Sequence, residues 1–130
     1  MVKAQFFSAE AFRTSFPEVL GGFWLDVKMF IVIEIAVLAF GMLIALVRTS
    51  RNAAVFPIRM LAAVYCDVFR GVPVVILIYL FGFGIPALEL SGVPNDPILL
   101  AGIALTLAYS AYVAEVFRAG ITSIHQTQTD

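Results

Sequence analysis

The sequence predicts an all-α membrane protein with three transmembrane helices, and three observations carry that prediction. Apolar residues make up 62% of the 130 positions and charged residues 13%, whereas soluble domains run roughly 45–50% apolar and about 25% charged. Mean hydropathy is +0.99. Three runs, Met29–Val47, Gly71–Leu88 and Pro97–Ala114, are continuously apolar, with Glu34 their one charge. Runs of eighteen or nineteen residues cover about 27–28 Å of helix, close to the roughly 30 Å hydrocarbon core of a bilayer. A transmembrane β-barrel would need short alternating strands separated by turns, a pattern these runs lack.

Taken in order, the chain opens on a segment that lacks the marks of a secretory signal. Lys3, Glu10, Arg13 and Glu18 interrupt residues 1–20, and Pro17 is expected to break any helix there. Phe6, Phe7, Phe12, Phe16 and Leu20 recur at loosely helical spacing, which suits an amphipathic lead-in lying in the membrane interface. Residues 1–22 are therefore assigned to an extracytoplasmic or interfacial segment. Trp24 stands just before the first span, where an aromatic belt sits. The three spans are placed at about 26–47, 60–88 and 97–116.

Arginine placement orients them. Arg48, Arg51 and Arg59 surround the connection after the first span, Arg70 opens the second apolar run, and Arg118 follows the third. The connection 85–97 holds Glu89 and Asp96 but no Lys or Arg. The positive-inside rule puts residues 48–59 and those from 118 onward in the cytoplasm, with 85–97 and the N-terminus outside. Lys3, Arg13 and Lys28 on the outer side run against this bias, but two basic connections flank one basic-free connection in the required order.

Glu34 lies about five residues inside the first run, where a carboxylate either marks function or reaches Lys28 and the interface. Asp67 and Arg70, three apart on one helical face, have the spacing of an ion pair. Gly71 and Pro73 follow directly, and Pro73 is expected to kink the helix as it enters the membrane. In the third span Gly102, Thr106, Ser110 and Ala114 repeat every four residues beside Ala101, Ala104, Ala108 and Ala111, a small-residue face that lets membrane helices approach closely. Such a face serves packing within the chain or lines a path at a seam between subunits. Cys66 is the single cysteine; it offers no disulfide partner and reads as a small apolar packing residue.

Two stretches together resemble a known family, over roughly Leu20–Asp130. Tyr65, Asp67, Phe69, Arg70, Gly71 and Pro73 match the second-helix signature of permease subunits of ATP-binding-cassette (ABC) importers for polar amino acids, of the histidine/glutamine permease type. The family's Gln a few residues later is absent, since Val74–Ile78 is wholly apolar. Ala111, Tyr112, Ala114, Glu115, Arg118, Gly120, Ile121 and Ile124 match the start of the family's cytoplasmic coupling loop, and Gln128 falls on the family's Gln. His125, Thr127 and Asp130 depart from its Pro, Gly and Glu.

The resemblance implies the front part of an ABC importer transmembrane domain, over 23–130, whose coupling loop begins at 117–130. Glu115, Arg118, Gly120, Ile124 and Gln128 would then meet the ATPase, with Gly120 permitting a break or a close approach after the helix. His125 reads as a surface polar residue. The implied partners are ATP-binding-cassette ATPase subunits, a second permease subunit, an extracytoplasmic solute-binding protein, a polar amino acid and the lipid bilayer, in a bacterial inner membrane. The chain itself would bind no cofactor, the ATP being held by the ATPase.

The motifs that would make it an enzyme are missing. No Gly-x-x-x-x-Gly-Lys-Ser/Thr loop occurs to cradle ATP, and no HExxH, CxxC or nucleophile elbow appears. With only two lysines, Lys3 and Lys28, and no basic cluster, nucleic acid is not a partner. The net charge of −1 points to no partner. A membrane structural or assembly protein without a transport path remains the alternative. An ion channel is less suited, because 85–97 offers little of a filter-like loop or a pore-lining polar ring.

Overall fold

The structure, a computed structural model, describes residues 8–124. Lys3, Phe6 and Phe7 at one end, and His125, Thr127, Gln128 and Asp130 at the other, lie outside the described residues. The chain divides into two compact units, Met1–Val32 and Ile33–Asp130. The first helix, α1 (Ala9–Thr49), supplies residues to both.

In the first unit, the Ser8 hydroxyl accepts from the Ala11 amide at 3.3 Å and Glu10 occupies the first turn. Together they cap a helix start and complement its dipole. Helix therefore begins at Ala9 and runs through Pro17. The break expected at Pro17 does not occur. A proline inside a helix forfeits one backbone hydrogen bond, and the turns on either side of Pro17 hold, with the Phe12 and Phe16 rings 5.2 Å apart just before it. Trp24 and Lys28 stand one turn apart, the Lys28 ammonium 5.8 Å from the ring centroid, a cation–π distance.

The second unit starts with the Ile33–Thr49 portion of α1. Asn52 then caps a short 3₁₀ turn (Ala53–Val55), its side chain accepting from Ala54 N at 2.9 Å. Helix α2 (Phe56–Gly71) has Pro57 in its first turn, where the missing N–H is no loss. The kink expected at Pro73 is a complete break. Val72 is extended, Pro73 caps the next helix, α3 (Val74–Tyr79), and the helices before and after differ in direction by 99°. A π turn (Leu80–Gly84) continues α3, closed by the Ile85 N–H bond to Leu80 O, and a single turn, α4 (Ile85–Ala87), ends the segment. In the loop that follows, Glu89 and Gly92 take positive φ (48° and 84°). Asp96 caps α5 (Pro97–Ser123), accepting from Ile98 N at 2.9 Å. Among the described residues α1 and α5 are long and apolar enough to cross a bilayer, and the bent pair Ala53–Gly71 with Val74–Ala87 makes a third span if counted as one. This is a membrane protein built of helices.

Helix α5 is the spine of the second unit. One cluster packs Cys66 against Ala111 and Ala114, walled by Ile44, Tyr65 and Phe69. Another packs Leu77 against Ala104 and Ala108, walled by Phe69, Val72, Val74, Ile78 and Phe81. Phe69 belongs to both and bridges the elbow. Cys66 is fully buried, as a small apolar packing residue should be. The stripe that α5 buries most completely is Leu100, Ala104, Ala108, Ser110, Ala111 and Ala114. Gly102 and Thr106, part of the expected small-residue face, are half-buried, and α1 approaches the first of them: a Cβ on Gly102 would lie 3.8 Å from Ile33 Cδ1.

Candidate functional site

Contacts between α1 and α5 rise together along both helices, Ile33 with Gly102, Gly41 with Val113 and Arg48 with Glu115. The two helices therefore run side by side in the same direction. Segment α3 runs the other way, since Leu77 meets Ala104 and Ala108 while Gly82 approaches Pro97 O at 3.8 Å. Helix α2 does neither, because the elbow turns it across the far end of α5. The last turns of α1 and α2 consequently converge on α5 at Glu115, ahead of the end of α5 at Ser123.

Where they converge, Glu115 is surrounded by arginines. Arg48, in the last turn of α1, donates through Nη1 to Glu115 Oε1. Arg118 Nε donates to Oε2 at 2.9 Å from the next turn of α5, and Arg70 Nη1, at the end of α2, lies 3.5 Å from Oε1. Arg48 and Glu115 are the shielded members, with side chains 14% and 18% exposed, against 41% for Arg70 and 39% for Arg118. All three ion pairs found among the described residues meet at this one carboxylate. One negative charge faces three positive ones, so the rim of the site remains cationic.

Hydrogen bonds extend the junction. Tyr65 of α2 donates its hydroxyl to Leu107 O at 2.6 Å and stands 2.8 Å from Ser110 Oγ, which itself reaches Leu107 O at 3.1 Å. Tyr112 donates to Arg70 O at 3.1 Å, and the Arg70 guanidinium lies 5.8 Å from the Tyr112 ring centroid. Arg59 Nη1 donates to Ser50 O at 3.0 Å, holding the connection from α1 to α2.

The residues singled out in the sequence divide accordingly. Tyr65 and Arg70 face α5, Asp67 and Gly71 are exposed, and Pro73 caps α3 at the elbow. The Asp67–Arg70 ion pair suggested by spacing is not formed; Arg70 turns to Glu115, three-helix packing having brought a better shielded carboxylate within reach. Glu115 and Arg118 do pair. Among the described residues neither a break nor a close approach occurs at Gly120. The helix continues through it to Ser123, a Cβ there would meet nothing within 4 Å, and the chain leaves the helix at Ile124, extended and exposed. Gln128 lies outside the described residues. Glu34 is half-buried with no ion-pair partner among the described residues.

Arg48 is the site residue that sequence reasoning missed. It sits 67 positions from Glu115 and stood out only as one of several arginines marking a cytoplasmic connection. A charged residue in the last turn of an apolar helix, paired with a lone carboxylate at the same level of another, is the signal that could have found it.

No family model matches the chain. It is 34% identical over 114 residues to the arginine transport system permease protein ArtQ of Bacillus subtilis strain 168, covering 88% of this chain and 50% of that protein. Similarity to the L-cystine transport system permease protein TcyB of the same organism is 32% over 117 residues, 89% of this chain and 47% of that one. A putative glutamine transport system permease protein, GlnP of Rickettsia conorii, is 31% identical over 110 residues, 85% of this chain and 48% of its own. A crystal structure of an amino acid ABC transporter with histidines superposes with a TM-score of 0.76 at 27% identity, over 91% of this chain and 52% of that one. The chain spans about half the length of the curated relatives it matches.

Proposed function

From its homology to permease proteins of amino-acid ABC transport systems, we propose that this chain works as part of the transmembrane subunit of an ATP-driven importer for a polar amino acid. The observation that carries the proposal is the convergence of the ends of α1 and α2 on Glu115 of α5, in the stretch of α5 that leads to its C-terminal end at Ser123. A coupling element needs a rigid base, and a carboxylate held by arginines from three helices supplies one. Spans at about 26–47, 60–88 and 97–116 would cross a bacterial inner membrane, with Arg48, Arg70, Glu115 and Arg118 on the cytoplasmic side.

In this role the subunit pairs with a second permease, receives solute from an extracytoplasmic binding protein and docks ATPase subunits inside. It performs no chemistry. ATP stays with the ATPase, and the permease binds no cofactor of its own. Nucleotide would select between inward- and outward-open packings as a population shift between two arrangements. Gly120, Ile124 and Gln128 would belong to the face presented to the ATPase. The open space around Gly120 supports this, because a side chain placed there meets no other part of the described chain and would be felt by a partner.

The test reconstitutes a complete permease carrying this segment, with its ATPases and binding protein, in sealed vesicles. Uptake of a labelled polar amino acid should require ATP, and Gly120→Val and Arg118→Ala should lower uptake per ATP hydrolysed while expression and insertion hold. Absence of ATP-dependent uptake would overturn the assignment and leave a membrane structural or assembly protein in its place, whereas unchanged uptake per ATP in both variants would remove Gly120 and Arg118 from the coupling face.

A further inference from the structure

We propose that Arg48 is the positioning residue that ties α1 to the coupling end of α5, so that movement of the segment after Arg118 is carried into α1. This deepens the reading of the chain as an importer permease and rests on it.

The geometry separates the three arginines. Arg118 lies three residues from Glu115 on the same helix, so their bond braces α5 but joins it to nothing else. Arg70 does join two helices, yet it stands 3.5 Å from the carboxylate and is 41% exposed, where water competes for the charge. Arg48 alone is both shielded and from another helix, at 14% exposure against 18% for Glu115. Charged pairs held out of water keep more of their attraction and lose more when one partner is removed.

The position of Arg48 along α1 strengthens the case. A Cβ on Gly41 would meet Val113 and Ala114, so α1 and α5 pass close to one another there. Arg48 follows Gly41 by seven positions, while Glu115 follows Val113 by two. Its side chain therefore reaches back toward the crossing, the direction helical side chains take. The two helices are held at the crossing by backbone proximity and beyond it by this ion pair. Without the second tie, α5 could pivot about Gly41 and leave α1 behind. Arg48 touches neither solute nor ATP; it acts through Glu115.

The experiment uses the complete permease with its ATPases and binding protein in vesicles, reading uptake and ATP hydrolysis on the same preparation. Arg48→Met should lower solute transported per ATP by at least about fivefold, the lower end of ordinary coupling between sites. Arg48→Lys, which keeps the charge, should recover a large part of the ratio. Arg48→Met combined with Glu115→Gln leaves no carboxylate unpaired, and its ratio should stay low because the tie is still absent. A wild-type ratio per assembled complex in Arg48→Met or in the double variant would overturn the proposal, even where the amount of complex falls, since Arg48 would then only support folding. If the unaltered complex shows no ATP-dependent uptake, the importer reading itself falls; if it transports and Arg48→Met keeps its ratio, only the tie is wrong.

Discussion

Val113 occupies the space that a side chain on Gly41 would need: a Cβ at Gly41 would come within 2.8 Å of Val113 Cγ1 and 3.3 Å of the Ala114 amide nitrogen. Helices α1 and α5 thus touch almost backbone to backbone, as small residues allow in membranes. Gly41→Ala should destabilise the pair by about 1–3 kcal/mol, the usual cost of overpacking. Val113→Ala in the same chain should recover much of it, since the nearest atom is then gone. Thermal unfolding of the detergent-solubilised protein measures both; an additive double variant would show that the crossing is looser than this.

Tyr65 ties α2 to α5 through one hydroxyl. Tyr65→Phe removes the bonds to Leu107 O and Ser110 Oγ, yet Ser110 keeps its own bond to Leu107 O. The loss should therefore be about 1 kcal/mol. Ser110→Ala should cost less, because Tyr65 retains Leu107 O. A double-mutant cycle on unfolding free energy isolates the Tyr65–Ser110 bond, expected at about 0.6 kcal/mol as for other side-chain bonds between membrane helices.

Cysteine labelling reads the topology. Cys66 is fully buried and should not react with an impermeant thiol reagent in intact cells, so no background needs removing. A cysteine at Ser91, in the basic-free connection, should label from outside. Cysteines at Ser50 and Thr127 should be shielded until the membrane is opened. Outside labelling at position 50 would reverse the orientation of every span.

Gly120 is a glycine inside an exposed helix turn with open space around it. Gly120→Ala should therefore stabilise α5 by about 0.5–1 kcal/mol, read from helicity and unfolding of the isolated chain. Reduced stability would mean that position 120 is crowded by groups beyond the described residues.

The helical class and the three apolar runs were legible because hydropathy is a local property. Pro17 misled because a breaker was weighed without the helix on both sides of it, which runs unbroken through α1. Asp67 and Arg70 misled differently. Spacing of three shows which residues can pair along a helix, but the choice of Glu115 over Asp67 was made by the packing of α2 across α5. The signature residues Arg70, Glu115 and Arg118 are neighbours, although 70 and 115 belong to separate motifs. Arg48 is hidden for a related reason: matching the end of one apolar helix with the level of Glu115 on another depends on how the spans are aligned. Gly120 permits a break or a close approach by its type, whereas the helix continues to Ser123 and ends where Ile124 turns extended.

The elbow at Val72–Pro73 fixes how deep the Glu115 junction can sit. A helix that stops leaves its final carbonyls without amide donors, and hydrocarbon cannot supply them. At the end of α2 the Tyr112 hydroxyl meets the carbonyl of Arg70, while the Gly71 carbonyl has no hydrogen-bond partner among the described residues and needs water or headgroups to supply one. The junction therefore belongs at the wet margin of the bilayer. There the rim arginines can stay hydrated while the pair they surround does not, and the protein carries its own depth gauge in a broken stretch of backbone.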